Sequence, residues 1–134
     1  MAYGYQSVSI NTGDTTGGTG AATNNNTSGH VVVGEICSIG VTYNGSPPAS
    51  TDLVVATAGN NGPALTLLTL TNANSDGWFH IRHKTDDESG ADITYDGTNE
   101  VYEKVCVADN IKVTVSQANN DDSVDVVVVY YAGA

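Results

Sequence analysis

The sequence predicts an all-β fold, a single-domain, jelly-roll-like β-sandwich with a flexible N-terminal arm, and three observations favour it. Thr, Val, Asn and Gly are abundant whereas the helix formers Lys, Arg, Glu and Gln are scarce, which favours strands and turns. Apolar residues recur with a period of two, as expected for strands with one buried face. Turn-forming residues separate these segments at short intervals, which is typical of sandwiches and, less often, of small barrels.

The N-terminal part predicts one short strand followed by a long polar segment. Residues 5–10 alternate weakly and predict the strand. Residues 11–29 are almost entirely Thr, Gly, Asn, Ser and Ala, and they bury too little apolar surface to become ordered alone. We therefore divide the single domain into a strand with an extended arm or loop at 1–28 and a β-sandwich at 29–134. The arm is expected to lie on a neighbouring subunit.

The middle of the chain predicts three strands. Residues 30–43 form the longest segment of period two, and Gly34 and Gly40 within it indicate bulges or bends. Further strands are expected at 52–58 and 64–70, because runs of Asn, Gly and Pro bound them.

The second half predicts an aromatic strand at 78–82, an acidic loop at 86–90 and an antiparallel meander that ends at 124–131. The last strand is apolar on both faces, so its outward face needs a cover, either a loop or another subunit. The two faces are Val126, Val128 and Tyr130 on one side and Val127, Val129 and Tyr131 on the other.

The charge of the chain restricts its partners. The formal net charge is −11 and the pI about 4.1. We expect no binding to nucleic acid or to an anionic membrane, because both require Lys and Arg to neutralise phosphates. The acidity favours solubility and is complementary to a basic partner. Neither a signal peptide nor an apolar run long enough to cross a bilayer is visible, so a soluble protein made in the cytoplasm is expected.

A search for catalytic and metal-binding patterns finds none that is specific, so neither an enzyme nor a cofactor is expected. His30, His80 and His83 have no recognisable catalytic partner, and phosphate-binding and nucleophile motifs do not occur. Cys37 and Cys106 are expected to be buried free thiols, with a disulfide between neighbouring strands as the alternative.

Two groups of carboxylates are chemically able to bind calcium but lack the spacing of an EF-hand loop, so solvated acidic turns are the favoured interpretation and calcium stays open. These groups are Asp86, Asp87 and Glu88, and Asp121, Asp122 and Asp125.

Residues 76–131 resemble small head proteins of tailed bacteriophages. The resemblance includes Asp-Gly-Trp-Phe-His-Ile-Arg-His at 76–83, Asp-Glu-Ser-Gly at 87–90, Tyr-Asp-Gly at 95–97, Ile-Lys-Val-Thr-Val at 111–115 and the closing Val-Tyr strand. The opening 13 residues also look like the starts of such proteins.

The family that this region resembles is that of capsid decoration, or cement, proteins. The resemblance implies a jelly-roll-like homotrimer on the outer surface of the virion capsid that bridges subunits of the major capsid protein. Ile81 departs from the proline that relatives often carry before the arginine.

The candidate partner interface combines the arm, the aromatic segment and the outward face of the last strand. For Trp78 a place in the core is favoured over a place in the interface. Two other functions stay open, a different virion component such as a head fibre base or tail protein, and a carbohydrate-binding β-sandwich module that stacks sugars on Trp78, Tyr95 and Tyr102. The interface residues are Asn11, Thr12, Asn24, Asn25, Asn26, Trp78, Phe79, Arg82, Val127, Val129 and Tyr131.

Overall fold

The computed structural model describes residues 4–133, which fold into antiparallel β-structure without any helix. No element of this part of the chain is a helix that could span a membrane. The strands are β1 (Tyr5–Asn11), β2 (Ala22–Thr27), β3 (Val32–Asn44), β4 (Asp52–Thr57), β5 (Thr66–Leu70), β6 (Gly77–Phe79), β7 (His83–Lys84), β8 (Tyr102–Glu103), β9 (Cys106–Asp109), β10 (Ile111–Ala118) and β11 (Ser123–Tyr131).

Two sheets form the sandwich. The front sheet has the order β1-β11-β3-β6, and β9 pairs with another part of β3. The back sheet has the order β2-β10-β4-β5, and β7 and β8 form a separate two-stranded ribbon. The chain passes repeatedly between the two sheets, so that the first and last strands pair in front while β2 and β10 pair behind. This is the strand order of a jelly roll, and it confirms the predicted jelly-roll-like β-sandwich.

The core lies between the sheets and is built from alternate positions of the long strands. In β11 every second residue from Val124 to Tyr130 is buried, and in β10 Ile111, Val113 and Val115 are buried in the same way. The alternation follows from the period of two of a strand. The largest fully buried side chains are Ile36, Ile39, Leu53 and Ile111.

The edge of the front sheet is completed by two short strands rather than one. β6 pairs with Ile39–Val41 of β3, whereas β9 pairs with Val32–Glu35. Between them, residues 82–104 contain no buried residue and carry the β7–β8 ribbon, and we call this stretch the ribbon segment. The ribbon segment is therefore an exposed insertion between β6 and β9, which both pair with β3.

The flexible arm predicted for the N-terminal region is wrong for the described residues of that segment. β1 confirms the predicted first strand, but Ala22–Thr27 forms β2 and pairs with β10. Asn24 Nδ2 donates to the Asp14 carbonyl at 3.0 Å, and Asn26 Nδ2 donates to the Asn11 carbonyl at 2.8 Å. Backbone pairing and amide side chains thus order a segment that has little apolar surface.

The turn before β2 is also tied to the domain. Thr15 is fully buried, and its hydroxyl donates to the Asn119 carbonyl at 2.5 Å and accepts from the Asp122 amide at 3.1 Å. At the other end of β1, the Gly4 amide donates to the Gly133 carbonyl at 2.6 Å. Both ends of the described chain therefore belong to the front sheet.

Candidate functional site

The outward face of the front sheet carries an apolar strip along its inner strand β11. Val127, Val129 and Tyr131 alternate with the buried residues of that strand and are half-exposed. The register places Val129 opposite Ser7 of β1 and Val127 opposite Ser9. Small side chains on the edge strand therefore leave the valines open to solvent.

Two tyrosines end this strip. Tyr5 lies opposite Tyr131 in the register, and their ring centroids are 5.1 Å apart with the planes tilted by 55°. Such a tilted pair is a favourable aromatic geometry. Tyr5 is nevertheless 71% exposed, so the pair forms a fixed but solvent-facing aromatic surface.

Trp78 lies on the same face, beside Val127. It pairs with Gly40 of β3, and a Cβ atom added to Gly40 would lie 2.8 Å from the ring of Trp78. The ring therefore rests on the backbone of β3, where glycine leaves room for it. Trp78 is 61% exposed, so the predicted place in the core is wrong. Its neighbour Phe79 packs against the core instead, because adjacent residues of a strand point to opposite faces.

We call Tyr5, Trp78, Val127, Val129 and Tyr131 the front patch. Beside it, a groove of about 250 Å³ runs between Trp78 and Val127 and includes Thr42 and Asp76. The apolar centre of the face is thus bordered by polar groups.

Two carboxylates lie beside the front patch. Asp125 accepts hydrogen bonds from Asn11 Nδ2 at 2.6 Å and Asn44 Nδ2 at 2.8 Å, and these bonds lower the pKa of its carboxyl. Asp76 Oδ1 accepts from the Tyr43 amide at 2.8 Å. Burial, and then the charge of Asp76, raises the pKa of the Tyr43 hydroxyl. Asp125 is therefore a negative, hydrogen-bonded group beside the apolar patch.

The structure brings only part of the predicted interface together. Trp78, Val127, Val129 and Tyr131 belong to the front patch, and Asn11 lies at its edge through its bond to Asp125. Tyr5 was missed because its segment alternates weakly and its partner strand is not evident from sequence.

The remaining predicted residues lie elsewhere. Thr12 is buried, and Phe79 is half-buried against the core rather than part of the outward face. Asn24 and Asn26 hold the N-terminal segment, whereas Asn25 is exposed on β2 of the back sheet. The exposed Arg82 begins the ribbon segment, and its Nη1 donates to the Ile81 carbonyl at 2.6 Å.

One carboxylate of each acidic group accepts hydrogen bonds from backbone amides. Asp87 Oδ1 accepts from the Ser89 and Ala91 amides, and the bond from Ala91, followed by that from Ser89, lowers the pKa of Asp87. Asp122 is buried rather than solvated, and it accepts from the Ser46 and Asn119 amides. Among residues 4–133 no three His, Cys, Asp or Glu side chains are grouped in a way that could hold a metal ion.

The cysteines are free, as expected, but they are not buried. Cys37 is half-exposed where the pairing of β3 with β11 shifts register, and Cys106 is exposed on β9. Cys106 lines a pocket of about 450 Å³ with His83, Glu103 and Lys104. His83 Nε2 lies 3.7 Å from Glu103 Oε1, a contact between exposed side chains across the paired strands of the ribbon.

Comparison with known proteins finds no matching family model and no curated protein that matches. Among solved structures, the crystal structure of FlhE is similar with a TM-score of 0.41 and 12% identity, covering 96% of this chain and 98% of that one. A mutant of the family 29 carbohydrate-binding module CBM29-2 is similar with a TM-score of 0.41 and 10% identity, over 97% and 83% of the two chains. Likenesses at this level carry no functional argument.

Proposed function

We propose that this chain is a structural protein of a bacteriophage virion, a capsid decoration protein that binds the major capsid protein on the outer surface of the head. The observation that carries the proposal is the front patch, an apolar and aromatic surface exposed on one face of the sandwich. A contiguous apolar patch rimmed by polar groups is typical of a surface that binds another protein.

The resemblance of residues 76–131 to phage head proteins supplies the identity of the partner. A decoration protein stabilises a capsid lattice by adding binding energy across the junctions between subunits. This role requires a rigid domain with a binding surface, and it requires no catalytic residues. The extensively paired sandwich provides such a body. The homotrimer that the resemblance implies is part of the proposal.

The test uses purified chain and purified heads of the parent phage that lack it. We expect saturable co-sedimentation with the heads and a higher temperature of DNA release from decorated heads. Light scattering of the free chain is expected to give the mass of a trimer. A cryo-EM map of the mature particle that shows no density for this chain on the head surface would contradict the proposal. Density for the chain at a fibre base or in the tail would instead support another virion role.

A carbohydrate-binding module is the second candidate, and one observation favours it. Trp78, Tyr95 and Tyr102 are all more than half exposed, and the ring of Trp78 lies over Gly40 beside the groove with Asp76. Exposed aromatic rings next to polar groups are suited to sugar rings, which have both apolar faces and hydroxyls. Binding on a glycan array that is lost in Trp78→Ala, by a chain that does not bind heads, would favour this function.

A further inference from the structure

We infer that the front patch is the surface by which the chain docks on the capsid, and that the partner surface it fits is apolar in its centre and basic at its rim. This inference rests on the proposed function, and it adds the face, the anchoring side chains and the chemistry of the partner. The back face and the ribbon segment would then point away from the contact or toward its margin.

The dimensions of the front patch suit the centre of an interface. From Val127 to Tyr131 and across four strands it measures about 14 Å in each direction, from the spacing of residues and strands in a sheet. A stable protein contact covers roughly 800 Å² on each partner, which is several times the footprint of the patch. The surrounding polar residues must therefore contribute the rest of the contact, so their charge matters.

Two features make the patch an efficient anchor. The ring of Trp78 is positioned by Gly40 beneath it, and Tyr5 is positioned by Tyr131. Aromatic side chains dominate the energy of many interfaces, and side chains that are already ordered lose less entropy when they bind. Trp78 is the expected hot spot because it is large, exposed and held from one side.

The charges around the patch define the partner. The strands of the front sheet contain no Lys or Arg, and the carboxylates of Glu35 and Asp125 lie toward opposite ends of the outward face. Of the four cationic residues, Lys84 is paired with Glu100 at 3.1 Å in the ribbon and Lys112 lies on the back sheet. The other two, Arg82 and Lys104, lie at the two ends of the ribbon segment, outside the strands of the front sheet. Complementarity therefore requires Lys or Arg on the partner.

A second copy of this chain is a poor occupant of the same face. A two-fold contact between front faces would bring together two sheets whose strands carry no cation, each from a chain of net charge −11. Glu35 and Asp125 lie on this face in both copies, and like charges brought together at an interface are unfavourable. The observations favour a different protein with a basic rim.

The experiment compares the same substitution on the two outer faces. Val127 and Val54 are both half-exposed valines that point outward from inner strands, β11 in the front sheet and β4 in the back sheet. Binding of Val127→Asp, Val54→Asp and wild type to purified heads is measured by co-sedimentation at low and at high salt. We expect Val127→Asp to weaken binding at least about tenfold, as for loss of a hot spot, and Val54→Asp to bind like wild type.

Salt and a second variant complete the design. Wild-type affinity is expected to fall as salt rises, because the rim contacts are ionic. Thermal unfolding of each variant reports whether it is folded. Trp78→Ala removes an apolar contact of the front patch without introducing a charge, and its binding to heads is measured in the same way. The test therefore does not depend on Val127→Asp being folded.

The outcomes separate the two proposals. A wild-type chain that does not bind heads overturns the proposed function and this inference with it. If wild type binds while Val127→Asp and Trp78→Ala bind equally well, the docking face is wrong and the proposed function stands. Affinity that does not fall with salt overturns the basic rim. If Val127→Asp or Trp78→Ala loses the oligomer that wild type forms in light scattering, while binding to heads stays intact, the front patch is a contact between copies of this chain. That outcome also overturns the inference.

Discussion

The two outer faces of the sandwich differ although they cover the same core. The front face presents the front patch, and its strands carry no cation. The strands of the back sheet contain no aromatic residue, and their outward positions are mostly polar: Thr23, Asn25, Thr27, Lys112, Thr114 and Ser116. Since both sheets bury their inward faces equally well, folding alone does not require one outer face to be apolar. The difference is the observation from which we propose that the front face binds a partner.

The largest expected effects concern the inward faces, where the two sheets are alike. Ile39 of the front sheet and Ile111 of the back sheet are fully buried, so Ile39→Ala and Ile111→Ala should each lower the free energy of unfolding by about 2–5 kcal/mol. On the outward face, Val127→Ala should cost less than about 1 kcal/mol. Urea unfolding of the three variants checks this. A cost for Val127→Ala as large as that for Ile39→Ala would mean that the front patch serves folding and not binding.

The second-largest expected effect concerns Thr15, which lies between β1 at the edge of the front sheet and β2 at the edge of the back sheet. Thr15→Val keeps the shape of the side chain but removes the hydroxyl that accepts from the buried Asp122 amide, so it should cost about 1–3 kcal/mol. Thr114→Val on the outer back face is the control and should stay within about 0.5 kcal/mol of wild type. Chemical denaturation measures both. Equal, small effects would restore the view of the N-terminal segment as a loose arm.

A smaller effect depends on pH and concerns Asp109, which ends β9 of the front sheet and binds the β4–β5 loop of the back sheet. Burial would raise the pKa of its carboxyl, but hydrogen bonds from the Asn110, Gly59, Asn61 and Asn60 amides outweigh burial and lower it. Because the pKa is lower in the folded state, the stabilisation is present above the ordinary carboxyl pKa near 4 and is lost as pH falls through the lowered value.

Asp109→Asn should therefore lower Tm at neutral pH, and the difference from wild type should shrink toward pH 3. Asp96→Asn, at a carboxylate whose pKa is also lowered but which lies in the exposed ribbon segment, should change Tm less. Thermal unfolding followed by circular dichroism from pH 7 to pH 3 measures both variants. A Tm difference that is independent of pH would show that the charge of Asp109 does not link the sheets.

The smallest expected effect concerns the position of the Trp78 ring over Gly40. Gly40→Ala places a methyl group where the ring lies, so the ring must move, with a change in stability below about 1 kcal/mol. Trp78 is the only tryptophan of the chain, and its fluorescence emission reports the movement directly. Gly62→Ala, where an added Cβ meets nothing within 4 Å, should leave the emission unchanged. Identical spectra for all three proteins would contradict the position of the ring on β3.

The jelly roll could be predicted because period two and turn chemistry are local signals, and both act on almost every strand. The outward apolar face of β11 was predictable for the same reason. Register is not local, and so the meeting of Tyr5 with Tyr131 was not predictable. β6 has only three residues, which is too few to decide by alternation whether Trp78 or Phe79 points inward.

The N-terminal segment was mispredicted for a different reason. Its composition offers almost no apolar surface, but strand pairing is made by the backbone, and Asn24 and Asn26 satisfy carbonyl groups that would otherwise lack partners. A prediction based on hydrophobic burial alone therefore underestimates how well such a polar segment is ordered. The partner of the protein was suggested by resemblance alone, because no arrangement of reactive groups pointed to a substrate.

The hydrogen bond between the Gly4 amide and the Gly133 carbonyl has a consequence for the topology of the molecule. Since these residues are in direct contact, a short peptide linker between Gly4 and Gly133 would close residues 4–133 into a ring without stretching the front sheet. A circular chain has fewer unfolded conformations, so closure would stabilise the fold through the entropy of its unfolded state. New chain ends could then be opened in the exposed turn at 96–99, far along the sequence from β1 and β11.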